Sequence, residues 1–202
     1  MSSSLSVYLL DTAATRALVG SGDEQLLEAV RTGFGRDLAR DDSYFGHEIG
    51  EGAPTAYEAL RAVVHGGPFS DREDHAFQYG YAYKRLCALT GAFLDNSSFT
   101  PHRGDWLSVV DQGLKALHIT AVSVEDFSLG CAPSPLPYTF TPGCGEWTPT
   151  MIEKALEQFE ATKRADHAPP LEPAVADAVM QCLDWMRAAQ EHPGLGIIGF
   201  RS

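Results

Sequence analysis

The segment FGHEIGEG, residues 45–52, has the residue types of a metal site without the spacing of one. A zinc-protease helix needs two histidines four residues apart, so that both imidazoles reach one ion, and a glutamate beside the metal-bound water. Here His47 and Glu48 are followed by Glu51 where the second histidine belongs. The three glycines of the segment also disfavour a regular helix. We therefore predict an exposed acidic loop here, and no metal ligand.

Three tyrosines and a polar turn are the best candidates for a ligand site. FQYGYAYK places tyrosines at every second position, so on a helix they cannot share one face and some must leave the core. LDNSSFTPHRGDW concentrates hydrogen-bonding side chains in one turn-rich segment. A small-molecule cleft is therefore predicted near residues 79–83 and 95–106. Its predicted ligand-binding residues are Tyr79, Tyr81, Tyr83, Asp95, Asn96, His102, Arg103, Asp105 and Trp106.

Structural roles also explain these residues, and we predict no catalytic residue. Core packing accounts for tyrosines on a helix, and turn capping accounts for the Asn, Ser and Asp side chains. Ser97 or Ser98 with His102 and Asp105 has the composition of a nucleophilic set. The spacing of a nucleophile elbow is missing, however, and such residues act only in the right spatial arrangement.

The cluster Asp71, Glu73, Asp74 and His75 stands at the start of a predicted helix. Acidic side chains there complement the positive end of the helix dipole, which explains the cluster without a metal ion. No G-x-G-x-x-G follows a strand, and no phosphate-binding G-x-x-x-x-G-K-[ST] loop is present. We predict neither a metal nor a cofactor.

The charge of the chain excludes some classes of partner and favours others. There are 27 acidic residues against 15 Lys and Arg, a formal net charge of −12. This charge opposes approach to nucleic acid or to an anionic membrane and attracts a basic protein. No apolar run approaches the roughly 20 residues that span a bilayer, and the N-terminus lacks a leader pattern. We expect a cytoplasmic protein.

The four cysteines are scattered and have no zinc-finger spacing. Cys131 and Cys144 bracket a proline-rich loop and could meet across it. Free thiols are the expected state in a reducing compartment.

The hydrophobic periodicity predicts an α+β fold, a helix-dominated single domain over residues 1–202 with a small sheet that includes the N- and C-terminal strands. Strands are predicted at SLSVYLLD and GLGIIGFRS, a short strand or extended segment at ITAVSVEDF, and a long loop at CAPSPLPYTFTPGCGE. Helices are predicted at residues 12–19, at DEQLLEAVRTGF, APTAYEALRAVVH, REDHAFQYGYAYKRLCALT, GDWLSVVDQGLKAL, WTPTMIEKALEQFEATK and AVADAVMQCLDWMRAAQEH.

Segments along nearly the whole chain resemble an uncharacterised bacterial family of small soluble cytoplasmic domains. These segments are SLSVYLLD, YEALRAVVHGGPF, FQYGYAYKRLCALTGAFLDNSSFTPHRGDW, GEWTP and CLDWMRAAQEHPGLGIIGF. More distantly, the strand-first order, VVHGG and the final AAQEHPGLGIIGF are similar to YfbM-like proteins, which are small α+β domains. Tyr57 stands where that pattern has tryptophan. The resemblance brings no established activity and so implies no catalytic residue.

The charge, the surplus aromatic side chains and the missing catalytic motif favour a non-catalytic protein that binds a protein partner, with a basic partner attracted most. A toxin-neutralising immunity protein is one form of such a protein. The alternative is a small-molecule-binding protein or an enzyme that uses the cleft near residues 79–83 and 95–106.

Overall fold

The computed structural model describes residues 3–129 and 132–202, and it confirms the helix-dominated α+β class. The α-helices of this described part run α1 Thr12–Arg16, α2 Glu24–Gly33, α3 Gly35–Tyr44, α4 Gly46–Gly50, α5 Ala56–His65, α6 Ala76–Thr90, α7 Trp106–Ala116, α8 Asp126–Leu129, α9 Pro149–Arg164 and α10 Pro173–Gln190. The strands are β1 Leu5–Leu10, β2 Ala92–Leu94, β3 Gly143–Trp147 and β4 Gly196–Arg201. A 3-10 turn, Glu73–His75, precedes α6.

The strands form one antiparallel sheet in the order β2-β1-β4-β3. The two terminal strands pair along their full length, from Leu5 opposite Arg201 to Leu10 opposite Gly196. This confirms the predicted sheet of N- and C-terminal strands. β1 is almost wholly buried, as its near-continuous apolar sequence requires.

The chain folds into two compact units. Within the described residues, unit 1 comprises 3–12, 91–129 and 143–202, and unit 2 comprises 13–90 and 132–142. Unit 1 contains the sheet with α7 to α10, and unit 2 is helical apart from the proline-rich loop at 132–142. The prediction of one domain over residues 1–202 remains a prediction.

The core of unit 1 lies between the sheet and helices α7, α9 and α10. Trp147 of β3 is its largest fully buried side chain, and its ring packs 4.7 Å from Phe127 and 6.1 Å from Trp185, centroid to centroid. Gly199 of β4 makes room for the Phe127 ring, because a Cβ there would lie 2.4 Å from that ring. Trp185 donates its indole N–H to the Asp95 carbonyl at 2.6 Å.

The main helices of unit 2 begin and end at the residues that capping rules predict. Asp23 caps α2 by accepting from the N–H groups of Gln25 and Leu26. Thr55 and Glu58 form a reciprocal capping box at the start of α5, and these hydrogen bonds lower the pKa of Glu58. Gly66 ends α5 in the left-handed conformation. α5 and α6 then pack against each other.

The predicted acidic loop at residues 45–52 is wrong, because residues 46–50 form the short helix α4. Its start is held by Phe45, which ends α3, accepts the Ile49 N–H at 3.0 Å and packs on Phe77 of α6, centroids 4.7 Å apart. The glycine penalty of about 1 kcal/mol per residue is small enough for such packing to overcome. The preceding helix, α3, is also absent from the helices that the sequence predicts.

The structure has no strand at ITAVSVEDF, where a short strand or an extended segment is predicted; residues 119–123 are irregular and lead through a turn into α8. The Asp111 carboxylate accepts from the Val124 N–H at 2.6 Å, the Glu125 N–H at 3.4 Å and the Ser123 hydroxyl. Side-chain hydrogen bonds therefore replace a β ladder. The β-branched side chains are buried one by one in the core of unit 1.

The predicted loop CAPSPLPYTFTPGCGE extends too far, since residues 143–146 belong to β3. Gly145 lies so close to α8 that a Cβ would be 2.0 Å from the Asp126 carbonyl oxygen. The glycines that indicate a loop in the sequence thus serve a close approach of two backbones. Cys144 is buried, and Cys131 lies outside the described residues, so the expected thiol state of this pair remains a prediction.

Candidate functional site

Unit 2 carries a groove of about 690 Å³ beside the start of α6. One wall is residues 70–74 with Ala76 and Phe77, and the other is residues 137–141 of the proline-rich loop. We call this feature the α6 groove. It combines charged side chains on one wall with aromatic side chains on the other.

Helix α6 positions both walls of the α6 groove. Gly80 lets the proline-rich loop lie against the helix, because a Cβ there would meet Thr139 at 2.9 Å and Pro142 at 3.0 Å. One residue earlier in the helix, the Tyr79 hydroxyl accepts the Ser70 N–H at 2.8 Å. The Tyr79 ring also packs edge-on against Phe69, with centroids 5.0 Å apart. Tyr79 and Gly80 therefore hold the two walls of the groove in place.

The charged wall carries three carboxylates and one base. Arg72 forms a fork to Asp74, with Nε donating to Oδ1 at 3.0 Å and Nη2 to Oδ2, and its Nη1 donates to the Glu51 carbonyl at 3.2 Å. This hydrogen bonding lowers the pKa of Asp74 and raises the pKa of Arg72. The side chains of Asp71 and Glu73 have no hydrogen bond or ion pair to any described residue. The wall is therefore net negative.

His75 lies beneath this wall and is 5% exposed. Its Nδ1 is hydrogen-bonded to Ser70 Oγ at 2.9 Å. Its Nε2 is buried without a hydrogen-bond partner among the described residues and lies 4.0 Å from Asp74 Oδ1. An unpartnered buried nitrogen is costly. The neighbouring residues Asp74 and Ala76 line the groove, whereas His75 does not.

The aromatic wall is unusually exposed. Tyr138 is 56% and Phe140 83% exposed, and their rings meet edge-to-face at 86° with centroids 4.9 Å apart. Phe77 connects the groove to a second aromatic cluster through Phe45. That cluster ends in Tyr44, 81% exposed and 4.8 Å from Phe45, centroid to centroid. Exposed aromatic side chains at this density are typical of binding surfaces.

The structure separates the three tyrosines that were predicted to bind a ligand. Tyr79 and Tyr83, one helical turn apart, are 3% and 1% exposed. Tyr81 is half-buried, and its ring lies 5.3 Å from Phe45. All three belong to unit 2, whereas the other predicted ligand residues belong to unit 1. Ligand binding by these tyrosines remains a prediction.

The predicted turn residues of unit 1 form a hydrogen-bonded loop. Asn96 donates to the Leu5 carbonyl and, at 3.0 Å, to Thr100 Oγ1. Asp95 accepts from Gln181 of α10 and, at 2.9 Å, from the Ser97 hydroxyl. Most polar side chains of this loop are thereby engaged in holding the loop to β1 and α10.

The rest of the predicted turn residues divide into buried and exposed ones. Trp106 donates to the Ser98 carbonyl at 2.8 Å. His102 is 5% exposed, with Nδ1 2.7 Å from the Phe99 carbonyl oxygen and a buried Nε2 that has no partner in the described part of the chain. Arg103 and Asp105 are exposed, and Asp105 makes no capping hydrogen bond to α7. Their ligand-binding role remains a prediction.

The described residues contain no candidate metal cluster and no candidate membrane span. Among residues 3–129 and 132–202, no three His, Cys, Asp or Glu side chains are grouped so that they could hold a metal ion. No helix in the same ranges combines the length and the apolar character needed to cross a membrane.

Comparison with known proteins assigns the family. A family model described as Domain of unknown function (DUF7691) matches residues 1–202. The chain belongs to the DUF7691 family. No curated protein and no solved structure matches the chain. The family description contains no activity, so the function of this DUF7691 member has to be argued from its own surface.

The sequence alone indicates the parts of the α6 groove in this DUF7691 chain without showing that they meet. The acidic cluster and the proline-rich loop are both evident, but they are more than fifty residues apart in the chain and carry no pairing signal. The available signal is the pair Tyr138 and Phe140, because large aromatic side chains in a proline-rich loop are not needed to complete a helix or strand.

Proposed function

We propose that the protein is a non-catalytic binding protein and that its α6 groove holds a basic segment of a partner protein. The observation that carries this proposal is the meeting of two carboxylates that have no partner among the described residues, Asp71 and Glu73, with the exposed rings of Tyr138 and Phe140. Carboxylates attract a basic chain, and aromatic rings bind its side chains with large contact area at a small entropic cost.

The net charge of the whole chain supports the same class of partner. A value of −12 attracts a cationic protein over long range and opposes nucleic acid and anionic lipid. The base on the charged wall, Arg72, is already neutralised by Asp74 and so does not cancel the field of the remaining acids. A toxin-neutralising immunity protein is the finer form of this proposal, because an acidic groove of this kind is suited to masking a basic toxin.

The test is a binding titration with a defined probe. A fluorescein-labelled peptide with alternating Lys, Arg and Leu is compared by fluorescence anisotropy with a peptide in which Glu replaces every base. We expect the basic peptide alone to bind. The double variant Tyr138→Ser, Phe140→Ser should weaken that binding about tenfold or more, since anchoring aromatic side chains carry much of the energy of an interface.

Phe93→Ser is the matched control, because Phe93 is 57% exposed and lies in unit 1. This variant should bind the basic peptide as the unmodified chain does. Equal loss of affinity in the control and in the groove variant would show general surface stickiness, and binding that survives the groove variant would place the contact elsewhere. Either result would end the proposal.

A small-molecule site in the turn of unit 1 is the second candidate, and it is favoured by one observation. His102 has a buried nitrogen without a partner among the described residues, next to the exposed Arg103. If this turn binds a metabolite, native mass spectrometry of the purified protein should retain it, and Arg103→Ala should release it. An apo mass for the unmodified chain would count against this candidate.

Bacterial origin, a cytoplasmic location and the distant YfbM-like similarity are parts of the proposal that rest on sequence resemblance and charge.

A further inference from the structure

We infer that the α6 groove recognises an arginine side chain of its partner, in preference to lysine or a methylated lysine. This inference rests on the proposed function, since it specifies what the groove binds. It is supported by the mixed chemistry of the two walls and by the hydrogen bonding of Arg72.

The two walls together require a cation that can both stack and donate hydrogen bonds. The rings of Tyr138 and Phe140 offer apolar faces, while Asp71 and Glu73 offer oxygen acceptors across the groove. A guanidinium group is planar, weakly hydrated and carries five N–H donors, so it satisfies both walls at once. An ammonium is strongly hydrated and stacks less well, and a trimethylammonium has no N–H to donate.

Arg72 shows that the charged wall accepts guanidinium geometry. Its fork to Asp74 is bidentate, with the planar arrangement that a carboxylate offers to arginine but not to lysine. Asp71 and Glu73, on either side of Arg72 in the chain, carry the same type of acceptor without such a partner in the described part of the chain. An arginine from a partner would meet these acceptors on the same wall.

The experiment uses the full chain and four labelled peptides of one sequence, Gly-Ser-Leu-Lys-Gly-X-Gly-Lys-Leu-Ser-Gly. Position X is arginine, lysine, trimethyl-lysine or citrulline, which keeps the shape of arginine but has no charge. Affinity is measured by fluorescence anisotropy at physiological ionic strength. We expect arginine to bind about tenfold more tightly than lysine or trimethyl-lysine and citrulline to bind about as weakly, as charge-assisted bidentate pairing implies.

Groove variants then locate the preference. The double variant Asp71→Asn, Glu73→Gln should bring the arginine peptide to the affinity of the lysine peptide, whereas Asp177→Asn, Glu191→Gln, which removes two exposed acids outside the groove, should leave the preference intact. All four of these positions are exposed, so the variants are expected to fold, and circular dichroism melting checks this.

Each outcome separates this inference from the function on which it rests. If the arginine and lysine peptides bind equally well and the groove variants abolish this binding, arginine recognition is overturned. The proposal that the groove holds a basic segment then stands. Tightest binding of trimethyl-lysine would overturn it in favour of an aromatic cage. An arginine preference that survives the groove variants would place recognition elsewhere and overturn the inference too. If no peptide binds in either experiment, both the proposed function and the arginine preference are wrong.

Discussion

At the scale of single residues, Lys84 has the clearest electrostatic cost. Its ammonium group on α6 is largely withdrawn from water, and this burial lowers its pKa to about 8. The negative charge of Asp41 raises the pKa and offsets part of that effect. Its Nζ lies 6.0 Å from the centroid of the Tyr81 ring. A lysine in the unfolded chain titrates near pH 10.4, so folding withdraws a proton from this side chain at alkaline pH.

The first prediction concerns Lys84→Met. The pKa of Lys84 is lower in the folded chain than in the unfolded chain, so the cost of burying its charged ammonium is fully present below about pH 8. This cost disappears as the pH rises to about 10.5, and the free energy of unfolding therefore rises with pH in this window. Methionine keeps the aliphatic chain without the charge. The variant should be more stable by about 1–3 kcal/mol at pH 7, and this gain should shrink towards pH 10. Urea denaturation of both proteins at several pH values measures it.

Lys154→Met is the control for Lys84→Met. Lys154 is an exposed lysine of α9, so this change should leave stability within about 0.5 kcal/mol of the unmodified chain at every pH. A gain for Lys84→Met that stays constant from neutral to alkaline pH would show that improved packing, and not the removal of a charge, is its cause.

At the scale of elements, the contact between β3 and α8 depends on one glycine. A Cβ at Gly145 would lie 2.0 Å from the Asp126 carbonyl oxygen and 2.5 Å from its carbon, and backbone atoms cannot rotate away as a side chain does. Gly145→Ala should therefore force α8 off the strand and cost about 3 kcal/mol or more, or prevent folding. Thermal unfolding followed by circular dichroism measures this.

Gly50→Ala makes the same chemical change in open space. Gly50 is the last residue of α4, a Cβ added there would meet no atom of its surroundings within 4 Å, and its backbone is not left-handed. Alanine there should be neutral or stabilise the protein by up to about 1 kcal/mol, because it restricts the unfolded chain. If the two alanine variants melt at the same temperature, the close approach at Gly145 does not constrain the fold.

Asp111 holds the segment for which the sequence predicts a short strand or extended segment. It is 2% exposed, and its carboxylate binds the two backbone N–H groups and the hydroxyl that begin the turn into α8. Asp111→Ala should cost about 2–4 kcal/mol, because it leaves these donors buried and unpaired. Hydrogen exchange should show the largest loss of protection at Val124 and Glu125. Asp184→Ala, which removes an exposed partner of Arg187, should cost less than about 1 kcal/mol.

The predictability of each element follows from where its stabilising contacts lie. Helices α2, α5 and α9 are predictable because their caps and apolar faces are local in sequence. α4 is not, because Phe45 anchors it to a residue of α6 thirty-two positions along the chain. The Asp111 turn and the Gly145 contact likewise join residues that are distant in sequence. The same reason hides the α6 groove, whose two walls are joined only by folding.

At the scale of the whole molecule, the formal net charge of −12 is a property that can be read directly from the residues. Such a charge acts over about 8–10 Å at ordinary salt, so it affects the approach of a partner more than the final contact. The exposed rings of the α6 groove act at short range and affect the lifetime of the complex. We therefore expect the net charge to affect mainly the association rate and the aromatic rings to affect mainly the dissociation rate.

The last prediction uses the basic peptide and two kinds of variant. Asp177→Lys, Glu191→Lys raises the net charge by about four without touching the groove, and it should slow association several-fold while the dissociation rate stays within about twofold. Tyr138→Ser, Phe140→Ser should instead raise the dissociation rate about tenfold with little effect on association. Added salt should imitate the charge variant. Stopped-flow fluorescence measures both rates, and a salt effect confined to dissociation would show that the charge acts only within the bound contact.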